Sequence, residues 1–145
     1  MIIQSLAAFF GTILFSVFFN ISRKELIFCG LNGITGWISY LVIDNLTNSV
    51  VLASLVATLV VCIIAQVLAK LRKNPVTVFQ IAGIIPLVPG LGMYQTLYAV
   101  VINDYPSALE HLVTTVEIAA AIAIGMLMIT SLYKALKITK AKQIR

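Results

Sequence analysis

The sequence predicts an all-α integral membrane protein with five transmembrane helices. Of its 145 residues, 61% are hydrophobic and only 10% are charged. The apolar residues gather into five long runs separated by short polar connectors, and the basic residues occur only in alternate connectors and in the C-terminal tail. A soluble domain of this size cannot bury so much apolar surface. We therefore expect a lipid bilayer to cover it.

The five runs cover residues 2–19, 26–43, 50–69, 76–103 and 112–133. An apolar run of about 18 residues or more is long enough for a helix to cross the hydrocarbon core of a bilayer. The connectors are too short to hold a soluble domain. Residues 1–145 are therefore predicted to form a single transmembrane domain.

The charge pattern predicts the orientation of these helices. All ten basic residues lie in the first connector, around the third connector or in the C-terminal tail, whereas the second and fourth connectors carry Asp44, Asp104 and Glu110. Because Lys and Arg concentrate on the cytoplasmic side, we expect the N-terminus outside and the C-terminus inside. No aromatic residues are interleaved with the basic clusters, so the net charge of +5 does not indicate nucleic-acid binding.

The fourth run is too long for one ordinary crossing. As a continuous helix it would measure about 42 Å, against a hydrocarbon core of about 30 Å. It contains Pro86, Pro89 and Gly90 near its middle. A re-entrant hairpin turning there is one alternative, but it would move the basic tail outside. The charge pattern favours one crossing made of two half-helices, broken between Pro86 and Gly90, and we call residues 86–90 the joint.

The joint is the first candidate for a substrate site. Pro86 and Pro89 lack amide hydrogens, so the carbonyls of Ala82 and Ile85 are expected to lose their helical donors. Unpaired backbone groups at membrane depth are tolerated where protein or a water-lined cavity surrounds them. Broken helices of this kind form substrate sites in many transporters, and Gly90 would let a ligand approach closely. A proline kink that only shapes packing is the alternative.

The second run carries a ridge of small residues. Gly30, Gly33, Gly36 and Ser39 recur at every third position, which favours the close approach of another helix. Asn32 lies between the first two glycines and needs a hydrogen-bond partner in an apolar environment. We expect either an interhelical hydrogen bond or a contact with substrate.

A carboxylate lies inside the fifth run. Glu117 precedes Ala121 and Gly125 at four-residue steps, so the three share one helix face. An intramembrane carboxylate is a functional hypothesis by default, here for proton coupling or for binding an amine. In the alternative, Glu117 is only about a turn and a half from Leu112 and meets water at the outer interface.

Other polar side chains near the joint are weaker candidates. Gln66 in the third run, and Gln80 and Gln95 on either side of the joint, can offer amide groups to a polar ligand. Tyr94 follows the joint and is expected to hydrogen-bond into a cavity there. These residues add to a possible substrate site without defining one.

The remaining reactive residues do not form a catalytic group. We expect Cys29, Cys62 and Trp37 to be packing residues and His111 to be a solvated residue of the outer connector. Their spacing matches neither a zinc site nor a nucleophile with its base. The sequence therefore predicts a protein that is not an enzyme and that uses no metal or cofactor.

Two segments resemble the threonine/serine exporter family, in particular its small split subunit. They are "NPVTVFQIAGIIPLVPGLGMY" around the joint and "RKELIFCGLNGITGW" in the second run. The chain is similar to the C-terminal half of the long single-chain exporters of that family. The resemblance implies export of small polar metabolites, such as threonine, serine or dicarboxylates, across the bacterial inner membrane.

The resemblance also implies a partner. The family includes transporters made of two separate subunits, so a larger multispan subunit, or further copies of this chain, is expected to complete the transporter. No nucleotide-binding motif occurs in the sequence, which favours a proton or substrate gradient over ATP as the energy source. The alternative is a small structural or assembly protein, or a channel component, without transport activity of its own.

Overall fold

The computed structural model describes residues 2–142, with the side chains of residues 2–136, and it is helical without strands over that part of the chain. The remaining residues of the basic tail lie outside the described side chains. One short 3₁₀ helix, Ile85–Leu87, joins the fourth α-helix to the fifth. The α-helices are α1 (Ile2–Phe18), α2 (Leu26–Thr47), α3 (Val50–Arg72), α4 (Val76–Ile84), α5 (Gly90–Val101) and α6 (Tyr105–Lys142).

Helices α1 and α2 approach closely through small residues. A Cβ atom on Gly30 would lie 2.7 Å from the ring of Phe9, and one on Gly33 would collide with Thr12. The hydroxyl of Thr12 donates a hydrogen bond to the carbonyl of Ala8 at 2.7 Å, so it places no unpaired donor between the helices. The predicted close packing along the glycine ridge is confirmed at these positions.

Small residues also allow α2 to lie close to α3 and α4. A Cβ on Gly36 would collide with Val61 of α3, and a Cβ on Gly83 of α4 would lie 2.5 Å from Nδ2 of Asn32. That Nδ2 donates a hydrogen bond to the carbonyl of Phe79 at 3.0 Å. Glycine at position 83 thus makes room for the amide of Asn32, which holds α4 against α2 shortly before the joint.

Two groups of buried apolar residues lie among these helices. Phe79 is the largest fully buried side chain, and Cys29 and Cys62 are buried in different groups as free thiols. Their burial agrees with a packing role for both cysteines. The first group is Ala57, Val61, Cys62, Ile84, Leu87 and Ile122; the second is Cys29, Ala65, Ala69, Phe79 and Ala82.

The fourth predicted helix is broken, as expected. Helices α4 and α5 differ in direction by 48° across the break, far less than the reversal that a re-entrant hairpin requires. The chain therefore continues in the same general direction beyond the joint.

Three or four of the five predicted crossings are supported by helix length and composition. Three single helices within the described residues are long and apolar enough to cross a bilayer, or four candidates if the bent pair α4–α5 is one span. Helix α1 has 17 residues and spans only about 26 Å, which is short for a hydrocarbon core of about 30 Å. The three helices are Leu26–Thr47, Val50–Arg72 and Tyr105–Leu136.

Helix α6 begins earlier than the fifth apolar run, which was placed at residues 112–133. Asp104 precedes the helix, and its Oδ1 accepts a hydrogen bond from the N–H of Ser107 at 3.3 Å. Pro106 occupies the first turn, where a missing N–H costs nothing. These two signals start the helix at Tyr105, so most of the predicted fourth connector is helical.

Candidate functional site

The backbone at the joint satisfies the carbonyls that were expected to lose their donors. The N–H of Ile85 donates to the carbonyl of Ala82, and the N–H of Val88 donates to the carbonyl of Ile85 at 3.2 Å. Each bond spans three residues instead of four, as in a 3₁₀ helix. The prediction that these carbonyls are left without donors was wrong, because the chain tightens around Pro86.

The joint leaves donors free on its other side. Pro89, at φ −76° and ψ 56°, forms an inverse γ-turn in which the N–H of Gly90 donates to the carbonyl of Val88 at 2.7 Å. Helix α5 starts immediately afterwards. The N–H groups of Leu91 and Gly92 have no acceptor among the described residues. The first turn of α5 therefore presents unpaired donors at the positive end of the helix dipole.

A cavity of about 440 Å³ lies beside the joint. Residues 86–92 form one wall, α2 and the first turns of α3 contribute a second, and the early part of α6 closes a third. The polar side chains that line it are Trp37, Tyr40, Ser54, Gln95, Glu110, His111, Thr114 and Thr115. The cavity combines an apolar interior with several hydrogen-bonding groups, as small-molecule sites do.

Two glycines of α5 shape the cavity in different ways. A Cβ on Gly92 would collide with Oγ1 of Thr115 in α6, so glycine is required for this close helix contact. A Cβ on Gly90 would meet nothing within 4 Å, which shows open space beside the backbone there. The Thr115 hydroxyl donates to the carbonyl of His111 at 2.6 Å. Gly92 holds α5 against α6, and Gly90 leaves room for a ligand.

An aromatic pair from α2 forms part of the opposite wall. The rings of Trp37 and Tyr40 are stacked with centroids 5.1 Å apart. Both rings pack against the apolar group that contains Leu87. The indole Nε1 of Trp37 is buried and has no acceptor among the described residues. Trp37 has the expected packing role, and its buried Nε1 is an unpaired donor inside that packing.

Three of the predicted site residues line this cavity. They are Pro86, Pro89 and Gly90. Tyr94 does not line it, since its side chain is 63% exposed and stacks on Tyr98 with ring centroids 6.1 Å apart.

The other predicted polar residues are divided between two places. Asn32 and Gln66 are buried between helices and away from the cavity, with Oδ1 of Asn32 and Oε1 of Gln66 unpartnered among the described residues. Gln80 donates to Sγ of Cys62 at 3.4 Å. Only Gln95 brings its amide to the cavity.

Glu117 is exposed on α6, although Ala121 and Gly125 are buried. A Cβ on Gly125 would contact Leu55 and Thr58 of α3. Glu117 lies about 12 Å nearer the start of α6, at the level where α3 itself begins.

Glu110 and His111 are cavity residues that the sequence interpretation missed, because it assigned both to a connector. They lie in the second turn of α6 and line the cavity opposite the joint. The Asp104–Pro106 helix-start signal would have extended the helix over both residues. His111 therefore brings an ionisable ring to the cavity beside the joint, whereas Glu117 does not line that cavity.

The opposite end of the bundle holds an ion pair. Nε and Nη2 of Arg72, at the end of α3, donate to the carboxylate of Glu25 at 3.0 Å each, and the guanidinium lies 4.5 Å from the ring centroid of Phe28. Glu25 is buried, with its side chain 7% exposed. The hydrogen bonds from Arg72 lower the pKa of Glu25 from its ordinary value. This ion pair holds the start of α2 against the end of α3.

Comparison with known proteins identifies the family. No solved structure matches the chain. The family model described as "Threonine/Serine exporter, ThrE" matches residues 4–132, which is nearly the whole sequence. This match confirms the resemblance seen around the joint and in the second run. The chain is a multi-pass membrane protein that belongs to the threonine/serine exporter family.

Proposed function

We propose that this chain is a subunit of a secondary exporter of small polar metabolites in the bacterial inner membrane. Its substrates would be amino acids such as threonine and serine, or dicarboxylates. The observation that carries the proposal is a broken helix whose joint lines a cavity of about 440 Å³ in a chain of an exporter family. Broken helices place substrate sites within the membrane in many secondary transporters.

The proposed topology has five crossings, with the N-terminus outside and the C-terminus inside. Helices α4 and α5 form one crossing in this arrangement, and α1 forms the shortest. The residues that line the cavity come from the second half of α2, the start of α3 and the start of α6. All three segments lie near the connectors that lack Lys and Arg. These are the outer connectors in the proposed topology, so the cavity opens outward. The Glu25–Arg72 pair lies at the inner end.

The packing of α5 supports a second subunit. Its main helix partner in this chain is α6, and Ala99 is its only buried residue within the described part of the molecule. Most of α5 is therefore uncovered within the described part of this chain. A larger multispan subunit of the same family, or another copy of this chain, would cover it and allow alternating access.

The proposed transporter needs no enzyme activity, cofactor or metal. The described residues contain no group of three or more His, Cys, Asp or Glu side chains placed to hold a metal ion. A proton or substrate gradient would supply the energy.

The test is metabolite efflux from cells that produce this chain with and without its proposed partner. We expect efflux of threonine, serine or a dicarboxylate only when both subunits are present. Replacing both joint prolines, Pro86→Ala and Pro89→Ala, should reduce efflux at least tenfold while the protein still inserts. The control is Pro106→Ala, because Pro106 lies in the first turn of α6 outside the cavity lining.

Two results would overturn the proposal. One is normal efflux by the double proline variant. The other is purification of the chain as a stable homo-oligomer that binds no second subunit and supports no efflux. The second result would favour a structural or assembly protein.

A further inference from the structure

We propose that His111 binds the carboxylate group of the transported molecule and that its protonation strengthens this contact. The inference rests on the proposed function, and it adds a named recognition residue and a dependence on pH. Amino acids and dicarboxylates both carry a carboxylate, so the contact serves either class.

The geometry places His111 in the lining of the cavity. It lines the cavity on α6, across from the joint, and its ring nitrogens have no hydrogen-bond partner among the described residues. The N–H groups of Leu91 and Gly92, in the wall formed by residues 86–92, are further donors without an acceptor among the described residues. A carboxylate offers two acceptor oxygens and can satisfy donors from both walls.

The protonation state of histidine decides the strength of such a contact. A neutral imidazole donates one hydrogen bond, whereas an imidazolium donates from both nitrogens and carries a positive charge. Hydrogen bonds between ionised partners are roughly twice as strong as those between neutral partners. Histidine side chains ordinarily change charge between about pH 5 and 8. Carboxylate binding should therefore tighten as the pH falls through this range.

The other ionisable groups near His111 change little over that range. They are Glu110 on the same helix, Tyr40 from α2 and Asp104 before α6; α3, α5 and the joint add no ionisable side chain to the lining. Hydrogen bonds from Ser107 lower the pKa of Asp104, so its charge is constant. Carboxyl groups ordinarily ionise below pH 5 and tyrosines near pH 10. The His111 variants described below test whether His111 carries the pH dependence.

Glu110 separates the two possible classes of ligand. Its carboxylate lines the same cavity and would attract the ammonium group of an amino acid. It would repel the second carboxylate of a dicarboxylate by the same Coulomb interaction. Replacing Glu110 should therefore have opposite effects on the two classes.

The test uses Trp37, the single tryptophan of the chain, as an intrinsic fluorescent reporter in the cavity wall. The full chain, alone and together with the proposed second subunit, is placed in lipid nanodiscs and titrated with L-threonine and with malonate at pH 5.5 and pH 8. If threonine binds, we expect about tenfold tighter binding at pH 5.5 than at pH 8, and the charge of threonine is constant over this range. If malonate binds, we expect clearly tighter binding at pH 5.5. His111→Gln and, as a second variant, His111→Asn should bind at both pH values with the affinity that the unmodified chain shows at pH 8.

Glu117→Gln is the matched control, because it removes a carboxylate of α6 that does not line the cavity. This variant should keep the full pH dependence. Equal affinity at both pH values in the unmodified chain would overturn the proposal. So would a pH dependence that persists in both His111 variants, or the absence of any saturable fluorescence change with either ligand.

Glu110→Gln is then measured at pH 8 with both ligands. Weaker threonine binding identifies an amino-acid site, and stronger malonate binding identifies a dicarboxylate site; both results support a carboxylate contact beside Glu110. No change with either ligand would contradict the assignment of this cavity. Efflux measurements keep the two proposals distinct: efflux without a His111 effect overturns only this inference, and pH-dependent binding without efflux overturns only the exporter function.

Discussion

Polar groups are paired at one end of the helix bundle and unpaired toward the other. At the ion-pair end, where α2 begins and α3 ends, Glu25 and Arg72 satisfy one another through two hydrogen bonds. Toward the other end, in the cavity beside the joint (the cavity end), the N–H groups of Leu91 and Gly92 have no acceptor among the described residues. Paired groups stabilise the fold on their own, whereas unpaired donors in a cavity are suited to a ligand that completes them.

This difference between the two ends fits the proposed alternating-access mechanism. An alternating-access protein is closed at one end while the other end is open. Here the ion-pair end is closed by a buried carboxylate and a guanidinium stacked on Phe28. The cavity end is open along α5. The four predictions below test the comparison, from the largest expected effect to the smallest.

Breaking the ion pair should have the largest effect on stability. Arg72→Met leaves Glu25 buried without a partner, and we expect the free energy of unfolding at pH 7 to fall. Fully buried pairs lose about 3–5 kcal/mol, but Arg72 is 35% exposed, and solvent weakens its contribution. Thermal unfolding in detergent micelles measures the change. Lys70→Met, at an exposed position in the last turn of the same helix, is the control.

The same pair predicts the response to acid. Because the pKa of Glu25 is lowered in the folded protein, its stabilising contribution is present above the ordinary glutamate pKa and is lost as the pH falls through the lowered value. The unmodified chain should therefore lose stability below about pH 4, and Glu25→Gln should lose less. An equal acid response in both proteins would contradict a stabilising role for the pair.

At the cavity end, two glycines of α5 should respond differently to alanine. In Gly92→Ala the new methyl group collides with Thr115, and overpacking of this kind costs about 1–3 kcal/mol. In Gly90→Ala the methyl group enters open space, and with no positive φ at either glycine the change should be neutral or slightly stabilising. Unfolding midpoints of both variants give the comparison. Equal destabilisation would show that Gly90 is packed and that the cavity does not extend to it.

The sequence predicted the helical class, the break in the fourth helix and the close packing of the glycine ridge, because composition, proline and glycine act locally. It did not predict how the carbonyls of Ala82 and Ile85 are satisfied, since a 3₁₀ turn is one of several ways to pass a proline. It placed His111 outside the helices because hydrophobicity, and not the helix-start signal at Asp104, set the boundary. The set of polar residues that meet at the joint depends on how each helix is rotated about its axis and on where α3 begins along the bundle. No local sequence pattern specifies either of these.

Tyr94 provides the finest test, because the sequence placed it in the site and the structure does not. Its ring is exposed and stacks on Tyr98, and its hydroxyl donates no hydrogen bond among the described residues. Tyr94→Phe should therefore change the unfolding free energy by less than about 0.5 kcal/mol and should leave ligand-induced Trp37 fluorescence unchanged. Tyr40→Phe is the matched variant, since it removes a hydroxyl that lines the cavity, and it should weaken ligand binding about threefold to tenfold. If Tyr94→Phe weakened ligand binding and Tyr40→Phe did not, the ligand would lie on the outer face of α5, and the cavity beside the joint would not be its site.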